Sequence, residues 1–536
     1  MAPALQRYSW ILALTTIAFV FSSASNGAND VANSYATSVA ARTLKMWQAG
    51  ILVCFTEFFD VVALGSRVTS TIKSGVFCNC PAPPTFMLVM GCAETVVGAL
   101  AGAGIAAQTP LKWAWSSGSL SQIAASWAIA PLISAAIAAA LFLTLKCLVL
   151  ERKDPLKWGM RLITWYLAFT AGVLALFVLD ELPNAESFEE IGAGKVCGII
   201  LGVAAGVLAI GYLFFVPYFH HRLIMNDARM RSWHIPLGLL LYREDPPIYW
   251  PGKGQQVVTD YYAKTSVETS ADDLEKAGNK GDAKDSSTAV DRNGTNSYNG
   301  GVTTAIDVNG RHGNDSTERT GRGLSIPNPR GSAVARIVPA KPEPRERWLT
   351  PVHLGAVHAR AVLYDNRVEH LWTYAQVASV MMMSIAHGSN DVTNAVGPLV
   401  ASYNTYTSGE VTSRADTPIW ILVTAGLLLG AGFWFYGYHV MRSLGNKITQ
   451  VSPTRGFAME LGAAITVLLA SRVGLPVSTT QCLTGATIGV ALCNFDIRAI
   501  NWKQIAFIFS SWIITLLSAG LISGLLMAMA LNTPPF

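Results

Sequence analysis

Apolar runs long enough to cross a bilayer recur along the chain, and they set its organisation before any single residue is considered. A helix needs about 20 apolar residues to span the hydrocarbon core. Runs near that length fall at roughly 8–25, 48–66, 86–107, 120–148, 160–180 and 196–218. More follow at 372–390, 418–441, 457–472, 482–494 and 504–531. Some are short or rich in glycine, so the pattern predicts an all-α polytopic membrane protein of about ten or eleven hydrophobic segments. The first run could pass for a signal peptide. It leads straight into Asn26-Gly27-Ala28-Asn29-Asp30 rather than into a small-residue cleavage site, and it therefore reads as a transmembrane helix.

A polar stretch interrupts the series. From Gly252 to Arg347 there is no Phe, Trp, Met or Cys, and Gly, Ser, Thr, Asn, Asp and Lys dominate. Such a composition buries too little apolar surface to offset ordering entropy, so 253–346 is expected to be disordered. The chain thus divides into an N-terminal membrane repeat (1–218), a polar loop (219–371) and a C-terminal membrane repeat (372–536). His220, His221, Arg222, Arg229 and Arg231 crowd the exit from the last apolar run of the first half, which favours a cytoplasmic loop.

Composition then removes alternatives. Hydrophobic residues make up 51% of the chain and charged ones 14%, well below the share of about 25% charged residues usual in soluble proteins. The net charge of +5 lies largely at membrane edges and in the loop, so nucleic acid is not implied. No G-x-x-x-x-G-K-[ST] loop is present, which argues against an ATP-driven pump within this chain. No Ser/His or Cys/His arrangement suggests an enzyme. The cysteines are scattered, and only Cys78 and Cys80 sit close together, without zinc-site partners. No cofactor is expected.

The two membrane halves resemble each other. Asn26-Gly27-Ala28-Asn29-Asp30-Val31-Ala32-Asn33 is matched by His387-Gly388-Ser389-Asn390-Asp391-Val392-Thr393-Asn394, each placed at the end of an apolar run. Downstream, Gly65-Ser66-Arg67-Val68 parallels Gly437-Tyr438-His439-Val440, and Gly98-Ala99 with Gly102 parallels Gly485-Ala486 with Gly489. Three matches in the same order point to duplication. Paired halves with polar interruptions in corresponding places mark the midplane site of a transporter.

The residue types suit a pair of ions. Carboxylates and carboxamides are costly inside a membrane, so a functional role is the default reading. An Asp offers hard oxygens to a small cation, and an Asn amide donates to an oxyanion. Asn29 with Asn33 and Asn390 with Asn394 stand four apart, so each pair shares one helix face. In the second half, Pro476-Val477-Ser478-Thr479-Thr480 places hydroxyls at the start of a new helix, where free N–H groups favour an anion. That stretch reads as a re-entrant hairpin tip. Glu57 and Glu460 are lone carboxylates in apolar runs, open to either a coupling or a structural role.

The two G-[AS]-N-D-V-x-N motifs, the long central loop and the P-V-S-T-T tip resemble the inorganic phosphate transporter family, nearest to its fungal phosphate-repressible sodium/phosphate symporters. The resemblance covers nearly all of both hydrophobic halves. It implies an inverted-repeat fold with re-entrant hairpins and secondary active symport of inorganic phosphate, driven by a cation gradient, sodium or else proton, at the plasma membrane. It also implies a homodimer. Carried over by motif, Asn29, Asn33, Asn390, Asn394, Ser478, Thr479 and Thr480 bind phosphate, and Asp30 and Asp391 hold sodium.

One departure stands out. Asp391 and Gly485 are 94 positions apart, but Asp30 and the matching Gly98 only 68, so the first half is 26 residues short. No P-x-S-x-T occurs before Gly98. The first-half hairpin is therefore expected to be incomplete, and the alternative reading is a non-transporting phosphate sensor or an inactive, truncated isoform.

Overall fold

A computed structural model describes residues 9–64, 93–108, 113–115, 119–181, 191–243, 248–252, 257–262, 354–409, 417–444, 447–473, 475 and 477–532. The side chains of Ser389, Asn390, Asp391, Thr393 and Asn394, among a few others, also lie outside what it describes. The described residues are helical, with no strand among them. In chain order the main helices are α1 (Ser9–Asn26), α2 (Ala32–Ala40), α3 (Met46–Leu64), α4 (Ala93–Ala106), α5 (Leu120–Leu145), α6 (Pro155–Glu181) and α7 (Ala193–Ile210). After the central loop come α8 (Asn366–Ser408), α9 (Ile419–Gly432), α10 (Tyr438–Leu444), α11 (Pro453–Arg472), α12 (Thr479–Leu492) and α13 (Trp502–Asn532).

Each expected apolar segment coincides with a helix wherever it is described. Among the described residues six stretches are long and apolar enough to cross a membrane, and Met46–Phe59 and Val97–Ala106 are shorter apolar helices. The helices α8, α11 and α12 fall outside that set for a physical reason. Fifteen residues of α11 are buried, including Thr454, Arg455, Glu460 and Thr466, so this helix is wrapped by protein and need not be apolar all round. Around it lies a core of α5, α8, α11 and α12 that holds Phe142, Trp372, Phe457 and Met459.

Two expectations need correcting. The paired Asn/Asp motifs do not end their helices. In the first half α1 continues through a π-helical turn, Gly27–Val31, directly into α2. In the second, α8 runs unbroken for 43 residues through the motif and past Pro398. Asn and Asp lower helix propensity only modestly, and polar residues three and four apart stack on one face that a neighbouring helix can cover. Within the two motifs the irregularity is this π turn, one of several in the described helices, and such turns are frequent at functional sites. The second correction concerns the polar loop. Residues 257–262, expected to be disordered, are tied down: Arg222 Nη2 donates to the Val257 carbonyl (2.9 Å) and Tyr262 Oη to Glu369 (2.6 Å). Residues 263–353 lie outside the described residues.

The glycine pairs singled out as repeats have matching surroundings. A Cβ on Gly98 would stand 2.5 Å from the Leu516 carbonyl oxygen, and one on Gly102 1.9 Å from that of Gly520, so α4 lies backbone to backbone on α13. In the other half a Cβ on Gly485 would meet the Pro131 oxygen at 2.2 Å and one on Gly489 the Ala135 oxygen at 2.2 Å, which sets α12 equally close to α5. Each half lends a glycine ridge to the last long helix or the fifth helix of the other. Small residues at helix contacts are how membrane helices approach closely. The third repeat match involves 65–68 and lies outside the described residues.

Candidate functional site

The π turn that carries the first motif is held against α9. A Cβ on Gly27 would sit 2.0 Å from the Leu429 oxygen, and one on Gly432 1.9 Å from the Ala24 oxygen. Asp30 and Asn33 both lie on the buried side of this helix, while Asn29 is exposed.

From the other half, α11 and α12 form a helical hairpin. Ser478 is the N-cap of α12 with an extended backbone (φ −81°, ψ 121°), and its side chain makes no capping bond. Ser478 and Thr479 are buried and Thr480 is partly so. Pro476 and Gly474 lie outside the described residues.

The motif and the hairpin tip meet. Thr480 Oγ1 donates to Asp30 Oδ1 at 3.2 Å, Asn33 Nδ2 donates to Thr480 Oγ1 at 3.1 Å, and Asn29 Nδ2 donates to Asp30 Oδ1 at 3.0 Å. Asn33 Oδ1 is buried and finds no hydrogen-bond partner among the described residues. Carboxylate, carboxamides and hydroxyls are thus gathered at the N-terminus of α12, where the helix dipole favours negative charge. Asn390, Asp391 and Asn394 sit within α8, and the placement of their side chains lies outside the described residues.

Two carboxylates flank this cluster, each bonded across the halves. Glu460 on α11 is fully buried and accepts four hydrogen bonds: from Thr37 and Ser38 on α2 (2.6 Å each), from Gln376 Nε2 (3.0 Å) and from Ser379 (2.7 Å) on α8. Thr43 Oγ1 donates in turn to Gln376 Oε1. Glu57 on α3, also fully buried, accepts from Ser384 at 2.5 Å and lies 3.2 Å from His387 Nδ1, the residue that opens the second motif. Ser384 also contacts Thr56 (2.8 Å), which reaches Tyr35 (3.1 Å). A buried charge needs this density of donors to offset its desolvation.

Sequence reasoning missed Thr37, Ser38, Gln376 and Ser379. The available signal was spacing. Thr37 continues the face of Asp30 and Asn33 one turn on, and Gln376 and Ser379 are three apart in an otherwise apolar run. No group of three or more metal-ligating His, Cys, Asp or Glu side chains occurs among the described residues.

Comparison with known proteins accords with this geometry. The model of the Phosphate transporter family matches residues 26–95 and 93–523. The two matched segments meet at 93–95, where the first half is short by comparison with the second. A phosphate-repressible phosphate permease of Neurospora crassa is 35% identical over 590 aligned residues, with 99% of each chain covered. A sodium-dependent phosphate transporter of Danio rerio is 26% identical, covering 92% of this chain and 91% of its own. A solved structure, described as the sodium-dependent phosphate transporter, shares the fold with a TM-score of 0.62 at 19% identity, over 98% of this chain and 100% of that one. The apolar helices make the chain an integral membrane protein, and the family is one of transporters, not enzymes. The chain belongs to the Phosphate transporter family.

Proposed function

We propose that the chain carries inorganic phosphate across the membrane by symport with sodium. Phosphate sits between Asn29 and Asn33 of the first motif and Ser478, Thr479 and Thr480 of the hairpin tip, with Asn390 and Asn394 completing the site. Sodium ions are held by Asp30 and Asp391, so that cation and anion neutralise one another as they cross. The observation that carries this reading is the Asn33–Thr480–Asp30 chain, which joins the first motif to the second-half tip. Names borne by relatives, among them sodium-dependent phosphate transporters, support the choice of ions.

The halves are inverted repeats and α11–α12 is a re-entrant hairpin. The equivalent glycine contacts of α4 on α13 and α12 on α5 support the first point. Glu57 and Glu460 are tied into bonds across the halves, so any coupling they provide acts through those bonds. On this reading the protein works in the plasma membrane as a homodimer, with its central loop in the cytoplasm. The test is uptake of radiolabelled phosphate by phosphate-transport-deficient cells expressing the chain, with sodium or choline outside. Uptake that needs sodium supports the reading, whereas no uptake above the host background leaves a sensor or inactive form.

A further inference from the structure

The described edge of the central loop closes a ring of contacts with the two helices that meet at Glu460. On one side, two residues past the end of α2, stands Arg42, whose backbone is left-handed (φ 61°) and whose Nη1 donates to the Asp260 carbonyl at 2.9 Å. Asp260 Oδ1 accepts from Asn366 Nδ2 (3.2 Å), and the amide of Tyr261 donates back to Asn366 Oδ1 (3.2 Å). The Tyr261 hydroxyl contacts His370 Nδ1 at 2.7 Å. Tyr262 Oη donates to Glu369 Oε1 at 2.6 Å and accepts from the Tyr364 amide at 3.2 Å.

Glu369 is fully buried and caps the N-terminus of α11. Its Oε2 accepts from the Thr454 amide and its Oε1 from the Thr454 hydroxyl, both at 2.9 Å. A carboxylate there also matches the helix dipole. Arg455 Nη2 adds a bond to the Val362 carbonyl at 2.6 Å. Six residues beyond Thr454 along α11, about 9 Å at 1.5 Å per residue, Glu460 accepts from Thr37 and Ser38 of α2. The ring therefore runs from α2 through Asp260 and Tyr262 to Glu369, down α11 to Glu460, and back to α2.

We propose that Tyr262 and Glu369 are positioning residues for transport: a latch that holds α11 of the second half against α2 of the first at the loop end of the molecule. Cargo leaving on the loop side must pass where these two helices part, so the latch stabilises the state closed on that side. The Tyr262 hydroxyl donates to Glu369 and accepts from the Tyr364 amide, so Tyr262→Phe removes these two hydrogen bonds without disturbing the aromatic ring. The inference rests on the symport reading above for its transport consequence, but not for the contact itself.

The test compares full-length wild type with Tyr262→Phe by two measurements. Loss of the bond to the buried Glu369 carboxylate, with that from the Tyr364 amide, should raise the population of the loop-side-open state roughly tenfold to a hundredfold. Phosphate taken from the opposite face then meets fewer competent transporters, so its KM rises by up to the same factor while Vmax per molecule in the membrane holds. Amide exchange by mass spectrometry should rise in 257–262 and in the first turn of α11 (453–457). Unchanged exchange overturns the latch. Raised exchange with an unchanged KM overturns the positioning role, and a fall in Vmax alone marks a merely structural contact. Wild-type protein that takes up no phosphate would refute the symport reading, while the exchange measurement still decides whether the latch exists.

Discussion

Asn33 of the first half donates its amide hydrogen to Thr480 of the second at 3.1 Å, across 447 positions of sequence. The same hydroxyl donates to Asp30 at 3.2 Å, so a single threonine joins the two halves at the foot of a helix N-terminus. Thr480→Val removes the hydroxyl and keeps the shape. Phosphate uptake is expected to fall roughly tenfold to a hundredfold, as befits a hydrogen bond to a charged group. Thr480→Ser, which restores the hydroxyl, should keep most of the activity. Equal uptake by the valine variant and wild type would remove Thr480 from the site.

Glu460 satisfies four donors from α2 and α8. Truncation to alanine strands all of them, and since a buried donor left unsatisfied costs about 1–3 kcal/mol, Glu460→Ala is expected to destabilise the fold by at least that much. Glu460→Gln, with one acceptor oxygen left, should cost less. Thermal unfolding in detergent measures both, and an alanine variant as stable as wild type would contradict the network.

The contact of α4 with α13 leaves no room for a methyl group on Gly102, whose Cβ would stand 1.9 Å from the Gly520 oxygen. Gly102→Ala should therefore force the helices apart, at an overpacking cost of about 1–3 kcal/mol, and lower the yield of folded protein in the membrane. Gly198→Ala on α7 meets nothing within 4 Å and serves as the control. It is expected to leave the yield unchanged or slightly raised, since alanine favours helix over glycine.

Removal of 265–349 should leave uptake near wild type, because a stretch so rich in Gly, Ser, Thr, Asn, Asp and Lys has too little apolar surface to fold. A deletion that begins at 253 also takes away Asp260 and Tyr262, with their bonds to Arg42 and Glu369. It is expected to change the KM for phosphate in the same direction as Tyr262→Phe. Identical kinetics for the two deletions would show that the described edge of the loop has no part in transport.

Much of this was legible in the sequence, and the omissions have physical causes. Apolar length alone placed the helices, because burial in lipid leaves few other choices. The duplicated Asn/Asp motif and the Ser478–Thr480 tip marked two of the surfaces that meet. The partners of Glu460 were invisible because Thr37, Ser38, Gln376 and Ser379 belong to no motif, and only a folded helix pair brings them to one carboxylate. The helix of α8 ran on through its motif because polar side chains do not break a helix that another helix covers. The loop edge was misjudged from average composition. Tyr261 and Tyr262 were the local signal, since two adjacent aromatics in a polar stretch are suited to docking.

The symport claim is tested most directly with the full-length protein in proteoliposomes. Uptake of labelled phosphate is measured under an inward sodium gradient and under choline, for wild type and for Asp30→Asn and Asp391→Asn. The expected result is saturable uptake that requires sodium and is lost in both variants, although each remains in the membrane, because a carboxamide cannot supply the charge a cation needs. Uptake indifferent to sodium, or wild-type rates in either variant, would contradict it.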